Sequence, residues 1–532
     1  MPDETIATRY NAMRGQCENI MQRVRECSAL SIPNLVPPLE HQPDQKLPEP
    51  FNSIGAEAVG SLNGRVLSSV FPSQLQWFKL DMDAKLKMSD EVPGELKDAI
   101  AAQLFRQEVI LQSVLESANI FSSKHRYSRG FRTQMRAVID QVLVTGDSLF
   151  MLTDDYRIVV YRRDQYVTKR DSCGDVLCHV IKESKYGLSL TDEQLAKAKL
   201  SRVVLEKEPY QRRMVDLYTL VEWEPSSEKW TWKQEVNNEI INTGEDKVGR
   251  YFSVPLDLAP GDDYGRGMIE RYLGEVRTTN ELEQRLLEFA GLASMGLVAK
   301  DYDSKTEDED FQKEPGSTIR ARVQGGEVQD AAIFKANNYA DMKQVDALAT
   351  RKEQRLARRF LMQSGSVRDS ERTTAFEIAR ITIAELDSAL GGLYAPLSDA
   401  LQAPLLARLY AQAQRDNLLP AMSQAQKSLV TVKFLTGAAA LAAQAKAQRL
   451  VEFTQFVREI TPDQQDRINE EVLFNALARY QGIDEPGLIR TDGELQKVRE
   501  DRAKVESQAI AQQQGSQLAA NVIESSLTTG AA

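Results

Sequence analysis

Histidine is nearly missing from this 532-residue chain: only His41, His125 and His179 are present, so acid–base or triad catalysis built on imidazole has few options. Cysteine is almost as scarce. Cys17, Cys27, Cys173 and Cys178 follow no positively charged, apolar leader, which predicts synthesis in a reduced cytosol. Cys17 and Cys27 continue the stripe Ile6, Tyr10, Met13, Ile20 and Val24, so both read as core residues without a disulfide partner. No apolar run approaches the roughly 18 residues that a membrane helix needs, and the alanine-rich tract after Thr436 is interrupted by Gln444, Lys446 and Arg449. No glycine-rich loop ends in Gly-Lys-Ser or Gly-Lys-Thr, so ATP hydrolysis by this chain is not expected.

What is present is length and acid. A chain of this size exceeds what one core usually organises, and several domains or subdomains follow. Against 77 Asp+Glu stand 66 Lys+Arg, a formal charge of -11. That balance excludes a protein that coats nucleic acid over its whole surface, while leaving room for a local basic site.

Periodicity predicts an α+β chain that is predominantly α. One amphipathic helix occupies the first thirty residues and stops at Pro33, Pro37 and Pro38. From Asn52 to Phe71, Ile54, Leu62, Val66 and Val70 mark a helix face, while Gly55, Ala56, Gly60, Ser61 and Gly64 suit close backbone approach. Helices near 94–118 and 128–144 lead into a hairpin-rich region from Ser148 to Val254. There Trp223, Trp230 and Trp232 read as packing and cross-strand pairs. Helices over about 268–295 and 338–363 flank a short β or loop insertion, and a helical, Ala/Gln-rich remainder begins near Pro420. Thr374 and Glu377 form a capping box. Behind it Leu386, Leu390, Leu393, Leu397, Leu401, Leu405 and Leu409 keep one apolar face, interrupted by Gly391, Gly392, Pro396 and Pro404, which predicts one bent helix.

Candidate chemistry is thin. Asp262 and Asp263 could anchor the metals of a nucleotide polymerase, but they sit in a Pro/Gly-rich loop entering a helix, where aspartate suits the turn itself. The acids Asp301, Asp303, Glu307, Asp308, Glu309 and Asp310 lack the glycine and final glutamate of an EF-hand and read as a solvated loop. Cys173, Cys178 and His179 supply three of the four ligands a closed zinc site needs, beside an evident hairpin turn. No catalytic residue, metal or cofactor is expected. The basic constellation is richer: Arg351, Lys352, Arg355, Arg358 and Arg359 crowd one helix beside the apolar stripe Val345, Ala349, Leu356 and Phe360, and Arg368 and Arg372 frame the loop after it. Two uses stay open for the helical cations: contact with nucleic acid, or pairing with Glu353, Asp369, Glu371 or acids of an adjacent subunit.

The run RDSERTTA with ELDSALGGLY, inside Arg368 to Gln412, resembles the portal or head-to-tail connector of short-tailed phages of the autographivirus type. Leu47 to Phe78, Val144 to Leu152 (VTGDSLFML), Asp263 to Asn280 (DYGRGMIERYLGEVRTTN) and Leu435 to Val457 resemble the family in the same order. The acidic insert near Asp301 and the last fifty or so residues match poorly.

The resemblance implies a phage portal fold with wing, stem, clip and crown, assembled as a ring. Its parts would be a wing over 1–267, stem helices over 268–296 and 338–363 around a clip at 297–337, and a tunnel loop at 364–373. A long kinked wing helix over 374–419 and a crown with a helical tail over 420–532 would follow. It further implies a non-enzymatic subunit, twelve to a ring, at the capsid's portal vertex, synthesised in the host cytoplasm. The partners implied are the major capsid and scaffolding proteins, the terminase packaging ATPase, a tail adaptor, internal core proteins and double-stranded DNA bound without sequence preference, with no membrane. In the resemblance Arg368 and Arg372 fall in the tunnel loop toward the DNA channel. The competing readings are the polymerase on Asp262 and Asp263 and a helical scaffold or adaptor that forms no ring.

Overall fold

The computed structural model describes residues 5–42, 44–71, 77–82, 94–117, 130–295, 297–300, 323–324, 327–328, 331–334, 339–362, 397–419, 430–434, 450–451, 454–455, 473 and 477. The chain forms two compact units. The first contains residues 1–79, 109–423 and 433–441, and the second residues 80–108, 424–432 and 442–532.

In the first unit, α1 (Ile6–Gln16) and α2 (Glu18–Ala29) replace the single N-terminal helix expected. The break is at Cys17, whose N–H turns back to Arg14 O at 3.2 Å just after Gly15, a weak helix former. The stripe holds across it: Ile6, Tyr10, Cys17, Met21 and Val24 are buried against Val167, Cys178, Val180 and Leu220. Glu235, 229 positions beyond Ile6, accepts from the N–H groups of Ile6 at 2.7 Å and Ala7 at 3.2 Å, setting a carboxylate at the positive end of α1. Helix α3 (Ile54–Val70) buries Ile54, Leu62, Val66 and Val70. Among its glycines, Gly55 is needed for packing, since a Cβ there would strike the Leu30 carbonyl, whereas Gly60 and Gly64 face open space. Helix α4 spans Gly94–Ser117, with residues 109–117 in this unit and 94–108 in the second, and α5 (Phe131–Thr145) packs on α3.

The hairpin region folds as two antiparallel sheets. One has the order β3 (Ile158–Tyr161), β2 (Asp147–Leu152), β9 (Tyr251–Pro255). The other is a meander of β4 (Tyr166–Arg170), β5 (Val176–Tyr186), β6 (Met214–Glu224), β7 (Lys229–Val236) and β8 (Glu239–Asp246). Short helices α6 (Asp192–Lys197) and α7 (Arg202–Lys207) lie between β5 and β6 and share a core with Leu217, Val236 and Ile241. Trp223 and Trp230 sit opposite each other with ring centroids 5.4 Å apart, the cross-strand pair expected from the sequence.

Two of the sequence blocks meet where α5 enters β2. Gly146, at φ 82°, closes α5, and a Cβ on it would lie 2.6 Å from Gly267 N. A Cβ on Gly265 would lie 2.6 Å from Gly146 O, and one on Gly267 2.6 Å from Val144 O. The backbones of VTGD and DYGRG therefore cross with no room for side chains, which is a physical reason for glycine at all three positions.

Helix α8 (Met268–Arg271) and α9 (Leu273–Met295) follow, then β10 (Leu297–Lys300), β11 (Val323–Gln324), β12 (Glu327–Val328) and β13 (Ala331–Phe334). Strand β10 pairs with β13 and β11 with β12, and α10 (Tyr339–Arg359) returns against α9 and α3. Of the long helix expected after Thr374, residues 374–396 lie outside the described residues. From Leu397 onward it is helical, with a π turn at Ser398–Gln402 and then α11 (Ala403–Arg415). The irregularity falls beside Pro404, as the sequence predicts. Leu397, Leu401, Leu405 and Leu409 are all buried.

In the second unit, β1 (Phe78–Met82) pairs with β14 (Val430–Phe434), and Thr431 Oγ1 donates to Asp81 O at 3.3 Å. Strand β14 corrects the expectation of an all-helical remainder after Pro420, because Val430-Thr431-Val432 is β-branched throughout and suits a pleated strand. Among the described residues, no helix is long and apolar enough to cross a membrane.

Candidate nucleic-acid interface

Helix α10 buries Ala349, Leu356 and Phe360 and half-buries Val345, the stripe its spacing predicts. The Phe360 ring meets Tyr272 edge-on at 5.5 Å. With that face committed, Arg351, Arg355, Arg358, Arg359 and Lys352 fall on an adjoining arc of about 120°. The four arginines are exposed and Lys352 is half-buried.

Their electrostatic surroundings separate them. Arg359 lies over the Tyr272 ring, 5.0 Å from its centroid. Hydrogen bonding to Tyr272, with the fields of Tyr272 and Glu275, pushes its pKa further up. Glu353, the nearest intrahelical acid considered as a partner, instead accepts from Asn52 Nδ2 at 2.5 Å. Among the described residues, Arg351, Lys352, Arg355 and Arg358 have no carboxylate within ion-pairing distance. A helix C-terminus favours cations, which accounts for Arg358 and Arg359, but that effect fades within the last turn. Arg351 and Arg355 stand deeper and are not explained by it. From Arg351 to Arg358 the arc runs about 10 Å along the helix, and Leu348, 42% exposed, sits on the same side. Arg368 and Arg372, with Asp369 and Glu371, lie outside the described residues.

The other candidate chemistry resolves into packing. Asp263 accepts from Lys169 Nζ at 2.8 Å and from Arg170 N at 2.9 Å, while the Tyr264 hydroxyl accepts from Thr168 N at 2.8 Å. These side chains satisfy the open edge of β4, and each Asp263 oxygen is engaged there. Asp262 is exposed in the turn closed by its N–H to Ala259 O at 3.0 Å. Cys178 and His179 are neighbours on β5 and so point to opposite faces. Arg9 Nη2 donates to Cys178 Sγ at 3.4 Å, and His179 Nδ1 lies 2.9 Å from Thr168 Oγ1. Burial, with a smaller effect of Arg170, drives the His179 pKa down to about 3. Cys173 is exposed in the turn. The acidic run from Asp301 to Asp310 lies outside the described residues. Among the described residues, no group of three or more His, Cys, Asp or Glu could hold a metal ion.

Sequence reasoning missed two buried charge clusters. Asp147, fully buried, accepts from the Tyr166 hydroxyl at 2.8 Å and from Ser253 Oγ at 3.2 Å, with Arg170 Nη2 at 3.6 Å. Burial pushes its carboxyl up against the opposing pull of Arg170 and Arg163. Arg408 on α11, 4% exposed, reaches Asp246 Oδ1 at 2.8 Å. Burial pushes Asp246 up, but hydrogen bonds from Arg250 and Arg408 outweigh it and leave the carboxyl below its usual range. The available signal was position: Arg408 and Gln412 lie on the same helix face as Leu401 and Leu405.

Compared with known proteins, the chain matches the family model described as bacteriophage head to tail connecting protein over residues 3–489. It belongs to that family. The head to tail connecting proteins similar to it include the portal protein of Enterobacteria phage T3, 26% identical over 490 residues, which cover 89% of this chain and 86% of that one. The portal protein of Escherichia phage T7 is 24% identical over 502 residues, covering 92% and 88%. That of Pseudomonas phage phiKMV is 26% identical over 486 residues, covering 87% and 88%. A solved neck of a native GTA particle, computed with C12 symmetry, covers 66% of this chain and 86% of its own at 12% identity, with a TM-score of 0.30 that is too low to carry an argument. As a member of the family the chain is a portal subunit of the phage head-to-tail connector, a structural protein and not an enzyme. The polymerase reading of Asp262 and Asp263 is thereby overturned.

Proposed function

We propose that the subunit closes with copies of itself into the ring through which phage DNA enters the head and later leaves it, and that exposed arginines steady the duplex. The observation that carries the DNA contact is the uncompensated arc on α10. Among the described residues, Arg351 and Arg355 have neither a carboxylate nor the helix end to neutralise them, and guanidinium groups suit phosphate oxygens. Contacts to phosphate hold no sequence information and exchange readily in salt, which suits a duplex that must slide. The acidic body, at -11, limits non-specific adhesion elsewhere.

In this reading the segments 268–296, which holds α8 and α9, and 338–363, which holds α10, form a stem around a clip at 297–337, with a wing over 1–267. The loop 364–373 brings Arg368 and Arg372 toward the channel, the helix 374–419 crosses back through the wing, and 420–532 forms the crown. Closure needs a heterologous contact between two different faces of the subunit, and twelve copies of 59.7 kDa would total about 716 kDa (12 × 59.7). Capsid and scaffolding proteins, core proteins, a terminase ATPase and a tail adaptor are the partners this position would meet. The site of action is the portal vertex of the virion, after synthesis in the host cytoplasm.

Light scattering with negative-stain imaging of the purified chain tests the ring. Closed particles near the twelve-copy mass are expected, and a monomer or open filament in every condition contradicts it. Substituting Arg368 and Arg372 by alanine tests the loop: assembly is expected to survive while packaging and DNA retention fall, and unchanged retention removes the loop from the channel.

A further inference from the structure

Helix α11 is tied to the two sheets by side chains that are expensive to bury. Arg408 Nη1 donates to Asp246 Oδ1 at 2.8 Å and to Val248 O at 2.9 Å. One turn on, Gln412 Nε2 donates to Thr153 O at 3.0 Å and Asp154 O at 2.8 Å. Arg415 Nη2 reaches Asp154 Oδ1 at 3.0 Å, and the Tyr156 hydroxyl donates to Asp416 Oδ2 at 2.6 Å. At the start of the helix, fully buried Gln402 donates from Nε2 to Val70 O at 2.6 Å. Among the described residues, the side-chain ties of 397–419 to other elements begin at Gln402, and Leu397 and Leu401 ahead of it contribute apolar burial.

Stability alone does not explain Arg408. Its Nε and Nη2 make no hydrogen bond, and Nη2 stands 3.7 Å from Asp154. A methionine of similar reach would avoid that desolvation, so what the buried ion pair adds is position: apolar surfaces tolerate sliding, whereas a guanidinium fixed between one carboxylate and one carbonyl does not. Just before this anchored stretch the helix widens into the π turn Ser398–Gln402. Pro404 has no N–H to donate to the carbonyl of Ala400, and a wider turn relieves the clash its ring would cause.

We propose that Arg408, with Asp246, Asp154 and Gln412, is a clasp that fixes the axial position of α11 on the sheets, while the π turn Ser398–Gln402 stands outside it. Arg408 is thus a positioning residue. Its consequence for DNA, though not the clasp itself, rests on the portal reading above.

Hydrogen exchange on the assembled full-length chain tests this. In the unmodified protein, amides of 405–415 are expected to exchange at least about tenfold more slowly than those of 398–402. Arg408→Met should erase most of that step, and Arg408→Lys, which keeps the charge but loses the fork, should erase part of it. Leu205→Ala, a truncation on α7 in the core it shares with Leu217 and Val236, should leave the step in place at a comparable loss of melting temperature. Equal exchange on both sides of Gln402 in the unmodified chain overturns the proposal. So does an unchanged step in Arg408→Met, or an equal loss of the step in Leu205→Ala. DNA retention by assembled particles separates the two layers. A larger defect in Arg408→Met than in Leu205→Ala supports a link from clasp to channel, while equal retention with a lost step leaves the clasp standing and removes that link.

Discussion

Helix α10 shows Arg351, Arg355 and Arg358 to solvent with no described carboxylate in reach, whereas α11 takes Arg408 out of water and sets it 2.8 Å from Asp246. Both helices carry apolar stripes of similar spacing, that of α11 buried and that of α10 buried apart from half-buried Val345. The arginines differ in where their charge is answered. A guanidinium neutralised inside the chain has its geometry fixed by the fold, and its removal is felt as instability or lost register. One left unneutralised on an exposed face contributes little to the fold and remains available to a partner. The same residue type therefore has opposite meanings on two helices, and only the position of the carboxylates tells them apart.

The largest blow to the clasped side is Asp246→Ala. It leaves Arg408 and Arg250 facing each other without their shared acid, and a loss of about 3–5 kcal/mol is expected by calorimetry or denaturant unfolding. A loss below about 1 kcal/mol would mean that the ion pair is not buried as described.

Acid should divide the regions next. His179 has a folded pKa of about 3 against an ordinary 6.5, so below pH 6.5 the unfolded chain binds the proton first and stability falls as pH drops toward 3. The Asp246 carboxyl, lowered in the fold, adds a loss only below its unfolded pKa near 4. Together these act on the sheets and α11. Melting temperatures between pH 7 and 3.5 should show a fall, with His179 contributing roughly 3–4 kcal/mol of it, and His179→Gln should flatten the part above pH 4. An unchanged slope in that variant would count against its burial.

Glycine substitutions give a middle-sized test. Gly146→Ala forces a side chain into φ 82° and into the crossing with Gly265 and Gly267, for an expected loss of about 1–3 kcal/mol. Gly60→Ala points into open space on α3 and should stabilise the isolated subunit by about 0.5–1 kcal/mol. Chemical unfolding of both variants checks the contrast, and a comparable loss from each would contradict the packing described.

Much of this scaffold was legible before any coordinate. Leucine spacing marked the buried face of 397–409, β-branched runs marked the hairpins, and Pro404 marked the irregular turn. Other features depended on distance. Glu235 caps α1 across 229 residues, and no local pattern announces it. Arg408 sits among leucines and looks like an exposed charge until its carboxylate, 162 residues earlier, is placed beside it. Strand β14 was hidden by its Ala/Gln-rich surroundings, although its valines and threonine carried the signal. The α10 arginines were legible as a face but not as free or paired, because spacing alone does not show that Glu353 is taken up by Asn52, 301 residues away.

The smallest expected effect on the fold is also the most telling. The subunit carrying Arg351→Ala, Arg355→Ala and Arg358→Ala together should unfold within about 0.5 kcal/mol per substitution of the unmodified chain. The measurement that tests the central claim most directly is the DNA packaged and retained per particle by rings of that triple variant. A clear fall with rings assembling normally is predicted. Full packaging and retention would contradict the claim that these arginines are held for DNA.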